Sequence, residues 1–326
     1  MIDKLRLYVG TGLDPYENLA IEYQLLTTTP ANCCTLYLWQ NRNTVVIGKN
    51  QNAWAECRVS LLESEGGKLA RRLSGGGAVY HDMGNLNFTF LCHQEDYDLD
   101  RQFAVIAQAC ALAGIPVERS GRNDLLAQGR KFSGNAFYHA QGRAYHHGTI
   151  LVHADTEKLS RYLSPPKAKL AAKGVSSVRS RVCNLSEFVP ELTCDSMKTH
   201  MAKAFEAVYG LSATPISLSQ EDLVQIKEKA REFSQWEHLF GQKLPCSVSC
   251  EEYFFWGTVC LEMNVTAGTV TQVRLYTDAM DWTLPSQVEA ALTGCRFQPE
   301  ALQSALAKLE DPQVREDLCR LLRQAF

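Results

Sequence analysis

The sequence predicts an α/β protein of the α+β type, with a larger domain at residues 1–245 and a smaller domain at residues 246–326. Three observations support this fold class. Helical apolar patterns and short β-rich runs are interspersed along the whole chain. Residues 124–152 consist of short apolar runs separated by turn signals, which is typical of antiparallel strands. A further group of strands and helices follows residues 241–245, a glycine- and proline-containing segment that we interpret as a linker.

The first half of the chain begins with a well-marked helix. Asp14 supplies a cap, Pro15 stands in the first turn and Glu17 follows three residues after the cap, so the helix is expected to run to about Leu26. The other elements predicted in this half are strands at 35–39, 44–47 and 86–91, a hairpin or short loop at 40–43, and a helix at 101–113 that ends at Gly114-Ile115-Pro116.

The second half opens on the antiparallel region, where Gln128-Gly129 and Gln141-Gly142 mark turns. The elements predicted after it are helices at 195–209 and 221–233, strands at 253–256, 258–265 and 270–276 with a turn at Ala267-Gly268, and helices at 300–309 and 314–324.

Composition excludes several function classes. The 33 basic and 36 acidic residues leave a net charge of −3, so no general attraction to nucleic acid or to an anionic membrane is expected. Charges stand where a secretory signal needs an apolar run, and no stretch approaches the ~18 apolar residues of a membrane helix. We therefore expect a cytoplasmic protein whose 12 scattered cysteines are reduced thiols and form no zinc site.

The most informative segment is Arg71-Arg72-Leu73-Ser74-Gly75-Gly76-Gly77-Ala78-Val79-Tyr80-His81-Asp82. Consecutive glycines indicate backbone that approaches another group closely, with amides free to meet an anion. Arg72 can fork onto a phosphate or a carboxylate. The spacing fits neither a Walker loop nor a dinucleotide fingerprint. The alternative is a flexible glycine turn with two solvated arginines.

A second segment places Asp124 and Lys131 on neighbouring strands, close enough to share one site. Enzymes that adenylate a carboxylic acid need such a cation, because the carboxylate and the ATP α-phosphate repel each other. A compact lysine ammonium can hold one oxygen of each. The alternative for Lys131 is a surface charge on a hairpin.

Two further segments are less specific. His146 and His147 are adjacent on a predicted strand and must lie on opposite faces, so only one can join a given site, and a structural role is favoured over a metal. Residues 167–184 carry five cations among small residues, which indicates either a mobile basic loop that closes over a nucleotide or a solvated linker.

Together these segments resemble the lipoate-protein ligase A family of the biotin/lipoate ligase superfamily. The resemblance rests on 71–82, on Gly-Arg-Asn-Asp at 121–124, on Arg-Lys-Phe-Ser-Gly-Asn-Ala at 130–136, on His-His-Gly-Thr at 146–149 and on 173–182, in the family's order and approximate spacing. It spans nearly the whole chain, including a C-terminal accessory domain. Asn135 departs from the pattern, since serine is common there.

The resemblance implies a large catalytic domain of antiparallel and mixed sheets flanked by helices, plus a small α/β accessory domain. It also implies a monomer that uses ATP and Mg²⁺ to convert lipoate into lipoyl-AMP, and then lipoylates E2 subunits of 2-oxoacid dehydrogenases and the glycine cleavage H protein. Lys131 is the expected catalytic residue. The expected ATP and adenylate site comprises Arg72, Gly77, Ala78, Val79, Tyr80, Asp124, Lys131, Lys173 and Arg181, with Asp124 as a candidate Mg²⁺ ligand. The expected lipoate site comprises Gly75, Gly76, Lys131, His147 and Gly148, in a pocket that is polar only at its carboxylate end.

Other functions stay open at this point. One is a lipoyltransferase that uses preformed lipoyl-AMP. Another is a carrier-to-carrier acyltransferase that works through a cysteine thioester, although no cysteine lies in the Gly-rich or Arg-Lys segments and Cys92 and Cys183 are the nearest. A biotin ligase is disfavoured because its Gly-Arg-rich loop is missing. A binding module without catalysis would not need Arg72, Asp124 and Lys131 together.

Overall fold

The computed structural model describes residues 1–121, 123–164, 182–240 and 247–325. Its helices are α1 (Pro15–Thr28), α2 (Ala53–Glu56), α3 (Val59–Ser64), α4 (Leu99–Leu112), α5 (Thr156–Tyr162), α6 (Cys194–Tyr209), α7 (Gln220–Ser234), α8 (Trp236–Phe240), α9 (Leu284–Leu292), α10 (Pro299–Leu306) and α11 (Pro312–Leu322). Its strands are β1 (Lys4–Val9), β2 (Cys33–Trp39), β3 (Thr44–Ile47), β4 (Lys68–Arg71), β5 (Val79–His81), β6 (Asn85–His93), β7 (Glu118–Ser120), β8 (Asp124–Ala127), β9 (Arg130–Ala140), β10 (Arg143–Leu151), β11 (Ala213–Pro215), β12 (Val248–Phe254), β13 (Gly257–Thr266) and β14 (Thr269–Thr277).

A mixed eight-stranded sheet is the framework of the larger part of the chain. Its strand order is β11-β1-β2-β6-β10-β9-β8-β7. Strand β1 runs parallel to β11 and β2, and every other pairing is antiparallel. The hairpins β8–β9 and β9–β10 turn at Gln128 and Gln141, which adopt positive φ angles of 48° and 51°, each followed by a glycine. The antiparallel region predicted from the turn signals is confirmed.

Helices cover both faces of this sheet. On one face, Phe103 of α4 and Phe205 of α6 pack with Phe88 and Phe90 of β6 in a predominantly apolar core. On the other face, residues of α1 and α7 pack against β2, β6 and β10, with Leu25, Ile226, Tyr37, Leu91 and Tyr145 among the buried side chains. The sheet is therefore buried on both sides, and the central strand β6 is almost wholly inaccessible to solvent.

A small sheet of order β4-β3-β5 lies beside the α1 face. Alternate residues of its middle strand serve two cores, as the period of a strand requires. Val45 and Ile47 pack with α3 and α5, whereas Val46 joins the α1 core. The chain passes from the large sheet to this small sheet through residues 40–43, so that segment is the short loop and not the hairpin.

The C-terminal part of the chain has a sheet and a core of its own. Strands β12, β13 and β14 form an antiparallel sheet, and helices α9–α11 pack on it around residues such as Val259, Leu261, Val288 and Leu318. The segment predicted as a linker, 241–245, lies outside the described residues, and the domain boundary near 246 stays a prediction. No helix within the described ranges is both long and apolar enough to cross a membrane.

Two elements of this C-terminal part differ from expectation. The strand predicted at 253–256 occupies Val248–Phe254 instead, and Phe255 and Trp256 form the turn into β13. The prediction followed the β-propensity of the aromatic run at 253–256. The observed strand is instead determined by the pairing of residues 248–254 with β13, which the sequence alone does not reveal. Helix α9 was not predicted, because its apolar pattern is short and Pro285 lies in its first turn.

Helix α1 offers a direct test of the local folding rules. The Asp14 side chain accepts hydrogen bonds from the backbone amides of Tyr16 at 2.9 Å and Glu17 at 3.2 Å, and it also pairs with Lys68. We expect Asp14→Ala to lower the free energy of unfolding by ~1 kcal/mol, as measured by urea denaturation. Asp14→Asn keeps the cap and loses only an exposed ion pair, so it should cost less. Equal midpoints for Asp14→Ala and wild type would contradict the capping role.

Candidate functional site

A cavity of about 630 Å³ lies between the large sheet, the small sheet and the C-terminal part of the chain. Its wall combines apolar side chains with a few polar groups. Of the described residues, those that line it include Leu19, Trp39, Val46, Arg72, Gly76, Gly77, Ala78, Val79, Tyr80, His81, Asn87, Asp124, Lys131, Gly134, Asn135, His147, Gly148, Thr149, Leu159, Phe255, Trp256, Asp278 and Met280. The size suits a small molecule, because ligand pockets commonly measure roughly 300–1,000 Å³.

One end of the cavity carries an ion pair. The Nζ atom of Lys131 lies 2.6 Å from Oδ1 of Asp124, and both side chains are largely shielded, with 22% and 13% of their surface exposed. A bulge between Leu125 and Leu126 shifts the register of β8 against β9 at this point. The ammonium also lies over Gly134, where a Cβ atom would come within 2.9 Å of it. The sequence-based prediction that Asp124 and Lys131 share one site is confirmed as geometry.

Arg72 is buried and bonded to the loop that follows it. Its Nε donates to Ser74 Oγ and to the carbonyl of Gly75, its Nη2 donates to the carbonyls of Gly75 and Gly77, and its Nη1 donates to the carbonyl of Val46. Burial lowers the pKa of its guanidinium to about 10, which still leaves it charged at neutral pH. These bonds fix the carbonyls of Gly75 and Gly77, the first and last residues of the segment 75–77 that we call the glycine loop. The interpretation of Arg72 as a solvated cation is wrong, and its contact with a nucleotide stays a prediction.

The close approach predicted for the glycine loop is made to the protein's own backbone. A Cβ atom on Gly75 would overlap the carbonyl oxygen of Ala279 and lie 2.9 Å from that of Met280. The amide of Gly76 donates to the Ala279 carbonyl at 3.2 Å. A side chain on Gly48 would in turn overlap the Gly76 carbonyl. Among the described residues, Gly76 lines the cavity and Gly75 does not. Gly75 instead contacts residues 277–282, which we call the C-terminal segment.

Further contacts hold this C-terminal segment in place. Asn50 accepts from the amide of Thr277 at 2.9 Å and donates to the carbonyl of Trp282 at 2.9 Å. The Trp282 ring stacks on Tyr138 at a centroid distance of 5.1 Å and receives the Lys49 ammonium on its face at 3.7 Å. Trp256, Asp278 and Met280 thereby become part of the cavity wall. No sequence pattern indicated these residues, because their role depends on how two parts of the chain pack.

The two adjacent histidines separate as predicted. His147 lines the cavity, with Nε2 2.8 Å from Ser74 Oγ and Nδ1 2.8 Å from the buried carboxylate of Glu22 on α1. His146 lies on the opposite face among phenylalanine rings and bonds to Asn135 and Gln102. Its burial lowers its pKa well below the ordinary value. His147 therefore joins Ser74, the residue before the glycine loop, to α1. Glu22 is a buried functional candidate that sequence reasoning missed.

The remaining predicted residues fall into two groups. Ala78, Val79, Tyr80 and Gly148 line the cavity with Gly76 and Gly77. Gly148 also has a packing reason to lack a side chain, since a Cβ there would lie 2.7 Å from the Gly134 carbonyl and from Phe88. Lys173 and Arg181 lie outside the described residues.

The described side chains around Asp124 do not form a complete metal site by themselves. Within the described ranges, no three His, Cys, Asp or Glu side chains are grouped as a metal site. Magnesium is usually bound by one or two carboxylates together with substrate phosphates, so Asp124 fits as one ligand of an ion that arrives with a nucleotide. Magnesium at Asp124 stays a prediction.

Cysteine chemistry has little support at this cavity. Among the described lining residues there is no cysteine. Cys92 and Cys183 are buried, and burial raises their pKa values to about 12 and about 11. A thiol needs the opposite shift to become a nucleophile at neutral pH.

Two family models match the chain. Residues 14–206 match the lipoyl protein ligase A/B catalytic domain, and residues 244–322 match the bacterial lipoate protein ligase C-terminus. Among solved structures, the chain is similar to LipL1 of P. falciparum in complex with lipoate, with 26% identity, a TM-score of 0.86, and coverage of 98% of this chain and 99% of that one.

Two other solved structures match the larger part of the chain. One is a bi-partite lipoate protein ligase from Thermoplasma acidophilum, described with its E2 lipoyl domain, with 25% identity, a TM-score of 0.66, and coverage of 75% and 99%. The other is a lipoate-protein ligase A bound with ATP, with 23% identity, a TM-score of 0.65, and coverage of 74% and 99%. At that identity the second likeness shows the fold alone.

The packing of Gly75 against Ala279 leads to a prediction. Gly75→Ala must displace the 277–282 segment, because the added methyl meets backbone that cannot move alone. We expect a loss of ~1–3 kcal/mol in the free energy of unfolding and faster amide hydrogen exchange in that segment, measured by mass spectrometry. Gly12→Ala is the control, since a Cβ there meets nothing closer than 3.8 Å. Unchanged exchange at 277–282 in Gly75→Ala would show that the contact is unimportant.

Proposed function

This chain belongs to the lipoate-protein ligase family, and from that premise we propose that it activates lipoate with ATP and transfers the lipoyl group to a lysine of an acceptor lipoyl domain. The observation that carries the proposal is the Lys131–Asp124 pair at one end of a cavity that is otherwise lined mainly by uncharged groups. An acyl chain with a single carboxylate matches this distribution of charge. The similarity to LipL1 in complex with lipoate supports the same choice of ligand.

In the first half-reaction, an oxygen of the lipoate carboxylate attacks the α-phosphorus of ATP. The bond from that phosphorus to the bridging oxygen breaks, and pyrophosphate leaves with the electron pair. Lys131 is suited to this step because its ammonium can bind one oxygen of each anion and offset their repulsion. Asp124 holds the ammonium at the cavity edge beforehand, at 2.6 Å. Magnesium, when bound, would neutralise charge on the departing pyrophosphate, with Asp124 as the candidate ligand.

In the second half-reaction, the neutral amine of the acceptor lysine attacks the carbonyl carbon of lipoyl-AMP. An amide bond forms, the anhydride bond to phosphate breaks, and AMP leaves. The lysine must first lose a proton, since its ordinary pKa is ~10.4. Asp124 carries the carboxylate beside the reacting centre, which suits it to orient the incoming ammonium. The glycine loop, whose carbonyls Arg72 holds, would keep the adenylate in place during transfer.

The acceptors we propose are apo-lipoyl domains of 2-oxoacid dehydrogenase E2 subunits and the glycine cleavage H protein. A ligase similar to this chain is described with its E2 lipoyl domain, which supports the first of these. Lys173 and Arg181 are proposed to bind the adenylate on the strength of the family motif alone.

One experiment tests the whole proposal. An apo-lipoyl domain is incubated with the protein, lipoate, ATP and Mg²⁺, and a parallel reaction contains lipoyl-AMP in place of lipoate and ATP. Intact mass spectrometry should show lipoylation in both reactions. A mass shift in the second reaction alone would replace the ligase by a transferase of preformed lipoyl-AMP, and no shift in either would refute the proposal.

The role of Lys131 gives a sharper prediction. We expect Lys131→Ala to slow lipoate-dependent pyrophosphate release by roughly 100-fold or more, because removing one preorganised charge-stabilising donor commonly has that effect. In the assay, the released pyrophosphate is hydrolysed to phosphate, and the phosphate is measured with a chromogenic reagent. Arg130→Ala is the matched control, since this neighbouring cation pairs with Glu187 at 2.7 Å and is not among the described lining residues. A near wild-type rate for Lys131→Ala would remove the residue from the mechanism.

A further inference from the structure

The end of the cavity away from Lys131 contains polar side chains where an apolar wall was expected. The pairing of β6, β9 and β10 gives the distance of this end from Lys131. Asn87 on β6 is opposite Thr149 on β10, and Thr149 Oγ1 accepts from the Gly134 amide on β9, the residue over which the Lys131 ammonium lies. Gly134, over which the Lys131 ammonium lies, and Asn87 are therefore two strand spacings apart, roughly 10 Å.

His81 belongs to this same distal end. Its ring meets the Trp39 ring edge-on at a centroid distance of 6.1 Å, and Trp39 is the partner of Asn87 across β2 and β6. Both His81 and Asn87 line the cavity and are more than nine-tenths buried, at 3% and 1% exposure. We call these two residues the distal pair.

A buried hydrogen-bond chain fixes the tautomer of His81. The Nδ2 atom of Asn18 donates to the backbone carbonyls of Gly12 and Gln40, so its assignment as a donor is secure. The two hydrogens of this nitrogen are shared with a third acceptor, Oδ1 of Asn41 at 2.9 Å, since an amide nitrogen of Asn41 in that place would set two donors against each other. The Asn41 amide nitrogen therefore lies on the other side, 3.2 Å from Nδ1 of His81. Since Asn41 can only donate there, His81 Nδ1 is the acceptor and Nε2 carries the hydrogen.

That hydrogen has no acceptor among the described residues, because His81 Nε2 is buried without a hydrogen-bond partner. Burial lowers the pKa of His81 to about 3, so the ring stays neutral and keeps this N–H at every working pH. The amide of Asn87 is in a similar state. Its Oδ1 accepts a hydrogen bond from Asn85 Nδ2 at 2.9 Å, and its Nδ2 has no partner within the described ranges. A buried donor without a partner costs free energy and requires an explanation.

The spacing matches the length of lipoate. An extended chain advances ~1.2 Å per bond, so the first sulfur-bearing carbon lies roughly 6 Å from the carboxyl carbon, and a sulfur atom roughly 8 Å from it. With a lysine–carboxylate contact of ~3 Å, the dithiolane sulfurs fall ~10 Å from the Lys131 ammonium. Sulfur is a weak hydrogen-bond acceptor, whereas the end of a plain alkyl chain is none.

We propose that His81 and Asn87 are specificity-determining residues that select an acyl chain with sulfur at its distal end over an alkyl chain of the same length. The inference rests on the proposed function and deepens it. Octanoate would fill the same space with methyl and methylene groups and leave the distal donors unpaired, whereas the dithiolane accepts from them. The site then discriminates through the cost of an unsatisfied donor, which is a stronger principle of selection than added apolar contact.

The test compares kcat/KM for lipoate and for octanoate in the complete protein. Wild type should prefer lipoate, and His81→Phe, which keeps an aromatic ring against Trp39, should reduce that preference by roughly fivefold to tenfold. The loss should fall on lipoate, with octanoate unchanged or improved. His139→Phe is the matched control, since this exposed histidine is not among the described lining residues.

A second variant keeps the test valid if His81→Phe does not fold. Asn41→Asp replaces the donor to His81 Nδ1 by an acceptor of the same size, which favours the opposite tautomer and removes the N–H from Nε2. It should reduce the preference for lipoate in the same way. An unaltered lipoate-to-octanoate ratio in folded His81→Phe or Asn41→Asp, or a wild type with no preference, would overturn the proposal.

The same comparison made with lipoyl-AMP and octanoyl-AMP separates this inference from the proposed function. If the protein cannot use ATP but still transfers the preformed adenylates with the expected preference, the activation step is wrong and the selection stands. If it uses ATP with both acids equally well, the selection is wrong and the ligase activity stands.

Discussion

The arrangement of the site depends on the burial of the Arg72 guanidinium. A buried charge is costly unless polar groups surround it, and here the carbonyls of Val46, Gly75 and Gly77 and the Ser74 hydroxyl accept its hydrogen bonds. The loop that provides those carbonyls requires a glycine at position 76, where φ is 88° and a Cβ atom would lie 2.9 Å from Arg72 Nη2. Gly75 instead leaves room for Ala279 and Met280. The guanidinium therefore shapes the glycine loop, and the loop determines one wall of the cavity and the surface on which Ala279 and Met280 dock.

Negative charge balances this buried cation at a distance. Glu22 accepts from His147 Nδ1 and from Thr89 Oγ1, and His147 Nε2 lies 2.8 Å from the Ser74 hydroxyl that Arg72 contacts. A chain of hydrogen bonds thus connects the carboxylate of α1, through His147, Ser74 and Arg72, with the glycine loop. With Arg72 committed in this way, Lys131 is the cation at the cavity edge that we assign to anionic substrate groups, and Asp124 holds it there.

The sequence predicted much of this molecule and missed specific parts for physical reasons. Helix α1, strand β3 and the two hairpins of β8–β10 were predictable because a cap, a β-branched run and Gln-Gly turns are local signals. The Asp124–Lys131 pair followed from strand spacing. Glu22, His81 and Asn87 were missed because each gains its role from a residue distant in sequence. The contact of Gly75 with Ala279 was not predicted for the same reason. A run of glycines indicates that another group comes close to the backbone, but it does not identify that group.

The two ends of the cavity determine the orientation that we propose for the acyl chain, with its carboxyl group at Lys131 and its distal end at His81. The most direct measurement is a crystal structure of the protein with a non-hydrolysable analogue of lipoyl-AMP. The account predicts the acyl carbonyl or the phosphate within ~3 Å of the Lys131 ammonium and the dithiolane ring beside His81 and Asn87. An analogue bound in the reverse direction, or bound outside the cavity, would contradict it.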